Sequence, residues 1–218
     1  MLCKCGYNYF VCEVDKVGRS CIRKTLLMTF AAATALLTMT GCGGRNAEVT
    51  AVTIDKNGHV SNVIYEEFDK DYYDVTELSD MASREVSEYN AEYISPKITL
   101  GEVELIDDGS FVRVSMNYDS ATDFSNFNEE NLFYGTLEEA EAAGYRVSDA
   151  LIDNNGVKIE GSFAADHPDR HIIITNDRSN FNAPFNIEYM TKGVKLIGKK
   201  EAVLSDVTAD SIQLLLSK

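Results

Sequence analysis

Sixteen consecutive uncharged residues, Thr25 to Thr40, divide this 218-residue chain into two parts with different fates. The run includes Leu26, Leu27, Met28, Phe30, Leu36 and Leu37, and it follows a basic cluster of Arg19, Arg23 and Lys24. A helix needs about 20 apolar residues to cross roughly 30 Å of hydrocarbon. Gly41, Gly43 and Gly44 end this one sooner, at the length of a signal-sequence core. The pattern predicts a signal peptide over residues 1–41, a short polar tether over 42–49 and a folded domain over 50–218. Residues 1–18 precede a basic cluster that already makes a normal n-region, and they read as an upstream extension of the start.

Met39, Thr40, Gly41 and Cys42 close the apolar run, with small residues just before the cysteine. This window resembles a bacterial lipobox, with methionine where leucine is commonest. The resemblance implies cleavage before Cys42, diacylation of its sulfur and attachment to the outer face of the cell membrane, the bilayer being the partner. One acyl chain binds a membrane only marginally, whereas two hold it stably. An ordinary secretory signal cut elsewhere and a retained short membrane helix are the alternatives. "NLFYGTLEEAEAAGY" (131–145) and the turn-rich strands after it resemble small lipoproteins of unassigned activity from Gram-positive anaerobes. That likeness implies a location and no catalytic residue.

The cut changes the chemistry of what remains. Cys3, Cys5, Cys12 and Cys21 lie upstream of it and lack the paired C-x₂-C spacing of a zinc site, so Cys42 is left as the one sulfhydryl and disulfides are excluded. Five of the 20 basic and two of the 35 acidic residues also lie upstream, leaving 15 against 33, a net charge of −18. Such a surface repels phosphate polymers and anionic headgroups, which argues against nucleic acid and against membrane contact through a protein face.

Turn chemistry and hydrophobic period give the fold. Alternation around Asp55-Lys56-Asn57-Gly58 predicts a hairpin, and the runs either side of Asp107-Asp108-Gly109 predict a second. Leu78, Ala82, Val86, Tyr89 and Tyr93 recur at helical spacing after Asp74, a capping residue with Glu77 three positions on, and Pro96 is expected to end that helix. Phe124 and Phe127 fall in a stretch of one or two helical turns. Thr136 with Glu139 forms a capping box, and Gly144 is placed to close the short helix it opens. Asp153-Asn154-Asn155-Gly156 marks a turn. "HIIITN" reads as a buried strand, "FNIEYM" and "VKLIGKK" as strands around Thr191-Lys192-Gly193, and "SIQLLL" as the last. The sum is a single α+β domain with a mainly antiparallel sheet, one longer helix and one or two short ones; two small domains divided near residue 130 are the alternative.

Motifs for chemistry are sparse. Asp166, His167, Asp169 and His171 place four metal-ligand types in six positions, but Pro168 breaks the helix that would align the histidines, and a turn into a strand is expected instead. Asp69, Asp71 and Asp74 hint at a calcium loop, yet the EF-hand glycine is missing at the sixth position, where helix capping accounts for Asp74. His59 reads as a solvated residue beside a hairpin turn. Nucleophile-elbow, P-loop and dinucleotide glycine motifs are absent, so no catalytic residue, metal or cofactor is assigned. Tyr72, Tyr73, Tyr118 and Tyr134 are candidates for a binding face. The expectation is a non-catalytic binding or interaction module on a lipid anchor, with a cell-envelope or glycan hydrolase and a transporter's solute-binding lipoprotein as alternatives.

Overall fold

A computed structural model describes residues 49–218, which form one compact unit. Met39, Thr40, Gly41 and Cys42, the window that resembles a lipobox, lie outside the described residues. In chain order the elements are β1 (Ala51–Ile54), β2 (Val60–Glu67), α1 (Val75–Asn90), β3 (Ile98–Ile106), β4 (Phe111–Tyr118), α2 (Ala121–Asn128), β5 (Leu132–Thr136), α3 (Leu137–Ala142), α4 (Phe163–Asp166), β6 (His171–Thr175), β7 (Asn180–Asn182), β8 (Ile187–Met190), β9 (Lys195–Leu196), β10 (Glu201–Val203) and β11 (Ile212–Leu216). The class is α+β as the sequence predicts, with one long helix and, among the described residues, three shorter ones.

The strands make two sheets rather than one. A seven-stranded sheet runs β3-β4-β2-β1-β7-β10-β9, and a four-stranded sheet runs β5-β6-β11-β8. Every ladder is antiparallel except β1 with β7. The larger sheet takes strands from both sides of residue 130. The strands flanking Thr191-Lys192-Gly193 do not pair with each other: β8 lies against β11 in the small sheet, and β9 pairs with β10 in the large one. Hydrophobic alternation identified both segments but carries no information about partners.

Turn residues do the work expected of them. Asp55 accepts backbone N–H bonds from Asn57 and His59, and Gly58 follows with φ +87°. Asp107, Asp108 and Gly109 all take positive φ in the 3₁₀ turn that joins β3 to β4. Asp74 caps α1 by accepting from the N–H groups of Thr76 and Glu77, and the Thr136–Glu139 box is complete at the start of α3. In the small sheet, β6 and β11 are central, and Ile172, Ile173, Ile174, Leu214 and Leu215 have no exposed surface. Leu137 and Ala140 of α3 cover one face of it, with Leu151 and Ile159.

Helix α1 stops at Asn90, well before Pro96, and Tyr93 lies beyond it. The reason is a side chain. The Asn90 Oδ1 accepts from the N–H of Lys97 at 2.7 Å and of Ile98 at 3.0 Å, while its Nδ2 donates to the Ile98 carbonyl at 2.8 Å. Asn90 thereby acts as a false strand for the start of β3. With each such bond worth about 1 kcal/mol net, Asn90→Ala is expected to lower stability by about 2–3 kcal/mol. Asn90→Asp, which keeps the acceptor and loses the donor, should fall between that variant and wild type in urea unfolding midpoints.

Candidate functional site

The residues flagged for metal binding do not converge. His167 ends α4 and its ring lies 4.5 Å from that of Phe163, whereas His171 begins β6 and directs Nδ1 to the Lys218 carbonyl oxygen at 3.0 Å. Asp166, the last residue of α4, and Asp169, on the turn between the two histidines, are both exposed. Among the described residues no group of three or more His, Cys, Asp or Glu side chains is arranged to hold a metal ion. The segment is the turn into a strand that Pro168 implies, and Arg170 at its end donates from Nε to the Leu216 carbonyl at 2.7 Å and pairs with Glu188. His59 points at Asp119, whose carbonyl oxygen is 3.0 Å away.

The four tyrosines proposed for a binding face go to three different places. Tyr118 is 2% exposed and sits against Phe124, with Asn128 donating to its hydroxyl. Burial pushes its phenol well above the usual range. Tyr134 stacks against the His171 ring at 5.4 Å. Its hydroxyl and the Asn62 Oδ1 are, among the described residues, buried side-chain oxygens without a hydrogen-bond partner, one on each sheet. Only Tyr72 and Tyr73 remain together on the surface, edge to face at 4.9 Å.

Tyr73 of that pair lines an open cleft of roughly 480 Å³ between the loop joining β2 to α1 and the turn joining β3 to β4. Its apolar wall is Phe68, Tyr73, Val75 and Leu105; its rim carries Asp69, Lys70, Asp71 and Asp74. Phe68 is anchored because its N–H bonds to the Ser110 carbonyl at 2.8 Å, and its ring lies 4.8 Å from that of Tyr73. Leu105 pairs in register with buried Val112, so it belongs to the inner face of the sheet, yet it is 44% exposed because α1 starts beyond it. Sequence periodicity could not find this wall, since Phe68 and Leu105 belong to different segments that the fold brings to one cleft.

The acids of the rim have unequal freedom. Asp69 forms an ion pair with Lys70 at 2.6 Å, which holds its carboxyl below the usual range. Asp74 is held low by the N–H groups of Glu77 and Thr76. Asp71 makes no hydrogen bond or ion pair among the described residues. Burial holds the Tyr73 phenol above its ordinary range, with Tyr72 adding to the effect. Glu66, the register partner of Val112, shares the face of Leu105; burial first, then the charge of Glu67, holds its carboxyl above the usual range.

No family model, no curated protein and no solved structure matches this chain. Among the described residues no helix is long and apolar enough to cross a membrane.

The raised Glu66 carboxyl has a definite sign. The native state binds its proton more tightly than the unfolded state does, so stability is lost as pH rises from about 4.3, the unfolded value, through the raised one. Glu66→Gln, which mimics the neutral form, is expected to exceed wild type in urea midpoint at pH 7 and to match it below pH of about 4.

Proposed function

We propose that this chain is a membrane-anchored extracytoplasmic lipoprotein whose α+β domain is a non-catalytic binding module. The single observation that carries the reading is the sequence window in which Arg19, Arg23 and Lys24, sixteen uncharged residues and Met39-Thr40-Gly41-Cys42 follow one another. Each feature alone is common; their order and spacing match what a lipoprotein signal peptidase needs, namely a cationic start, an apolar core and small residues before the acylated sulfur. Cys42 lies nine residues before Ala51, the first residue of β1, so the anchor would hold the domain within about 30 Å of the headgroups.

Support for a binding role comes from the surface: Phe68, Tyr73 and Leu105 line one open cleft whose rim carries Asp69, Asp71 and Asp74. The open cleft with an aromatic wall is the surface suited to recognition.

Labelled palmitate supplied to a bacterium expressing the chain should enter the wild-type protein and not Cys42→Ala. Mass spectrometry of the N-terminal peptide should find Cys42 as first residue, carrying acyl chains. An unmodified thiol, or a retained leader, would overturn the assignment.

A further inference from the structure

We propose that the cleft between the β2–α1 loop and the β3–β4 turn docks a basic peptide segment of a protein partner, a lysine or arginine side chain lying along Tyr73 and Leu105 with its charged head at Asp71. This deepens the binding role proposed above and rests on it, but it does not require the lipid.

Shape comes first. At roughly 480 Å³ the cleft falls within the range of small-ligand pockets, but it is wide open to solvent. Small-ligand sites bury most of their ligand's surface. An open trough suits the edge of a larger molecule, of which only one or two side chains enter.

The wall and the rim then specify what enters. Leu105, 44% exposed, and the rings of Phe68 and Tyr73 offer apolar surface continuous with the exposed Tyr72 ring. Lysine and arginine bury their alkyl stems on such a surface while keeping the charge wet, and the faces of aromatic rings attract the cation. The rim carries three aspartates to one lysine. Lys70 is already paired with Asp69, and the Asp74 carboxylate is committed to the N–H groups of α1, so Asp71 is the negative charge left to a partner.

Position supports the same occupant. Ala51 at the start of β1 pairs with Val63, and β2 runs on from there to Glu67 opposite Phe111, so the chain enters the domain at the end of the sheet where the cleft lies. A partner exposing basic residues near the membrane surface would meet this end first.

The test uses the full chain in detergent micelles and a fluorescent six-residue peptide of alternating lysine and alanine. Anisotropy should report saturable binding, and backbone amide shifts should move at residues 68–76 and 105–109. Asp71→Asn and Leu105→Ser should each weaken binding by about three- to fivefold, the scale of one exposed charge or apolar contact. Glu160→Gln, an equal loss of charge elsewhere on the surface, should change it by less than about 1.5-fold. Asp71 is an exposed loop residue, and unchanged circular dichroism of Asp71→Asn would confirm that its effect is local. Equal weakening by Glu160→Gln would reduce the binding to diffuse attraction and overturn the proposal. Spermidine binding as tightly as the peptide would identify a small-amine ligand and overturn it too. Cys42→Ala should bind the peptide like wild type, so a failure of the lipid anchor and a failure of the cleft are read separately.

Discussion

The large sheet depends on one short seam. Val52 in β1 and Phe181 in β7 are register partners in the parallel ladder, and neither has exposed surface. On one side of that seam lies the antiparallel block β1-β2-β4-β3, built from residues close in sequence; on the other lie β7, β10 and β9, contributed from residue 180 onward. Parallel pairing requires a long connection, and here the connection contains α1, α2, α3 and the first two strands of the small sheet. The C-terminal strands therefore cannot join before the intervening chain has folded back. Because β1 has only four residues, its apolar contribution comes through Val52 and Ile54, both of them buried.

The cleft is a by-product of how that antiparallel block is covered. α1 packs on β3 but begins only at Val75, after a seven-residue loop from Phe68 that must turn the chain through Asp69–Asp74. The end of the inner face beyond the helix start is then left open, with Leu105 uncovered. Asp74 fixes where the helix begins, Phe68 is fixed by Ser110, and the loop between two fixed points presents Asp71 and Tyr72 outward. Recognition groups on a loop held at both ends by rigid elements need little further ordering to bind.

Local features were legible in the sequence and long-range ones were not. Asp55-Lys56-Asn57-Gly58, Asp107-Asp108-Gly109 and Thr136 with Glu139 act through atoms a few residues apart, so reading them needs no tertiary knowledge. β7 and β10 escaped because each has only three residues, Asn180–Asn182 and Glu201–Val203, which is too short for a period to register. The end of α1 escaped because Asn90 works through a hydrogen-bond network across seven residues, while Pro96 was the visible stop signal. Of the cleft, the sequence offered Asp69, Asp71, Asp74 and Tyr73 as separate hints. It gave no way to know that Tyr118 and Tyr134 would be taken into packing, nor that Leu105 would arrive opposite Phe68.

The acid excess looks like a diffuse property of composition, yet the structure uses it residue by residue. Asp55, Asp74, Asp153 and Asp177 each accept backbone N–H bonds in a turn or at a helix start. Asp119 and Asp206 pair with Lys97 and Lys195. Several of these carboxyls are held below their usual range by those contacts, so they favour the fold above that range and lose the advantage as acid protonates them. A carboxylate committed to its own backbone has little left for a partner, because a second cation would compete with N–H donors already in place. Net charge thus overstates how acidic the molecule is to a ligand at close range, while still setting the long-range field that draws cations in. Specificity falls to the few acids without such commitments, and Asp71 is one that also has aromatic surface beside it.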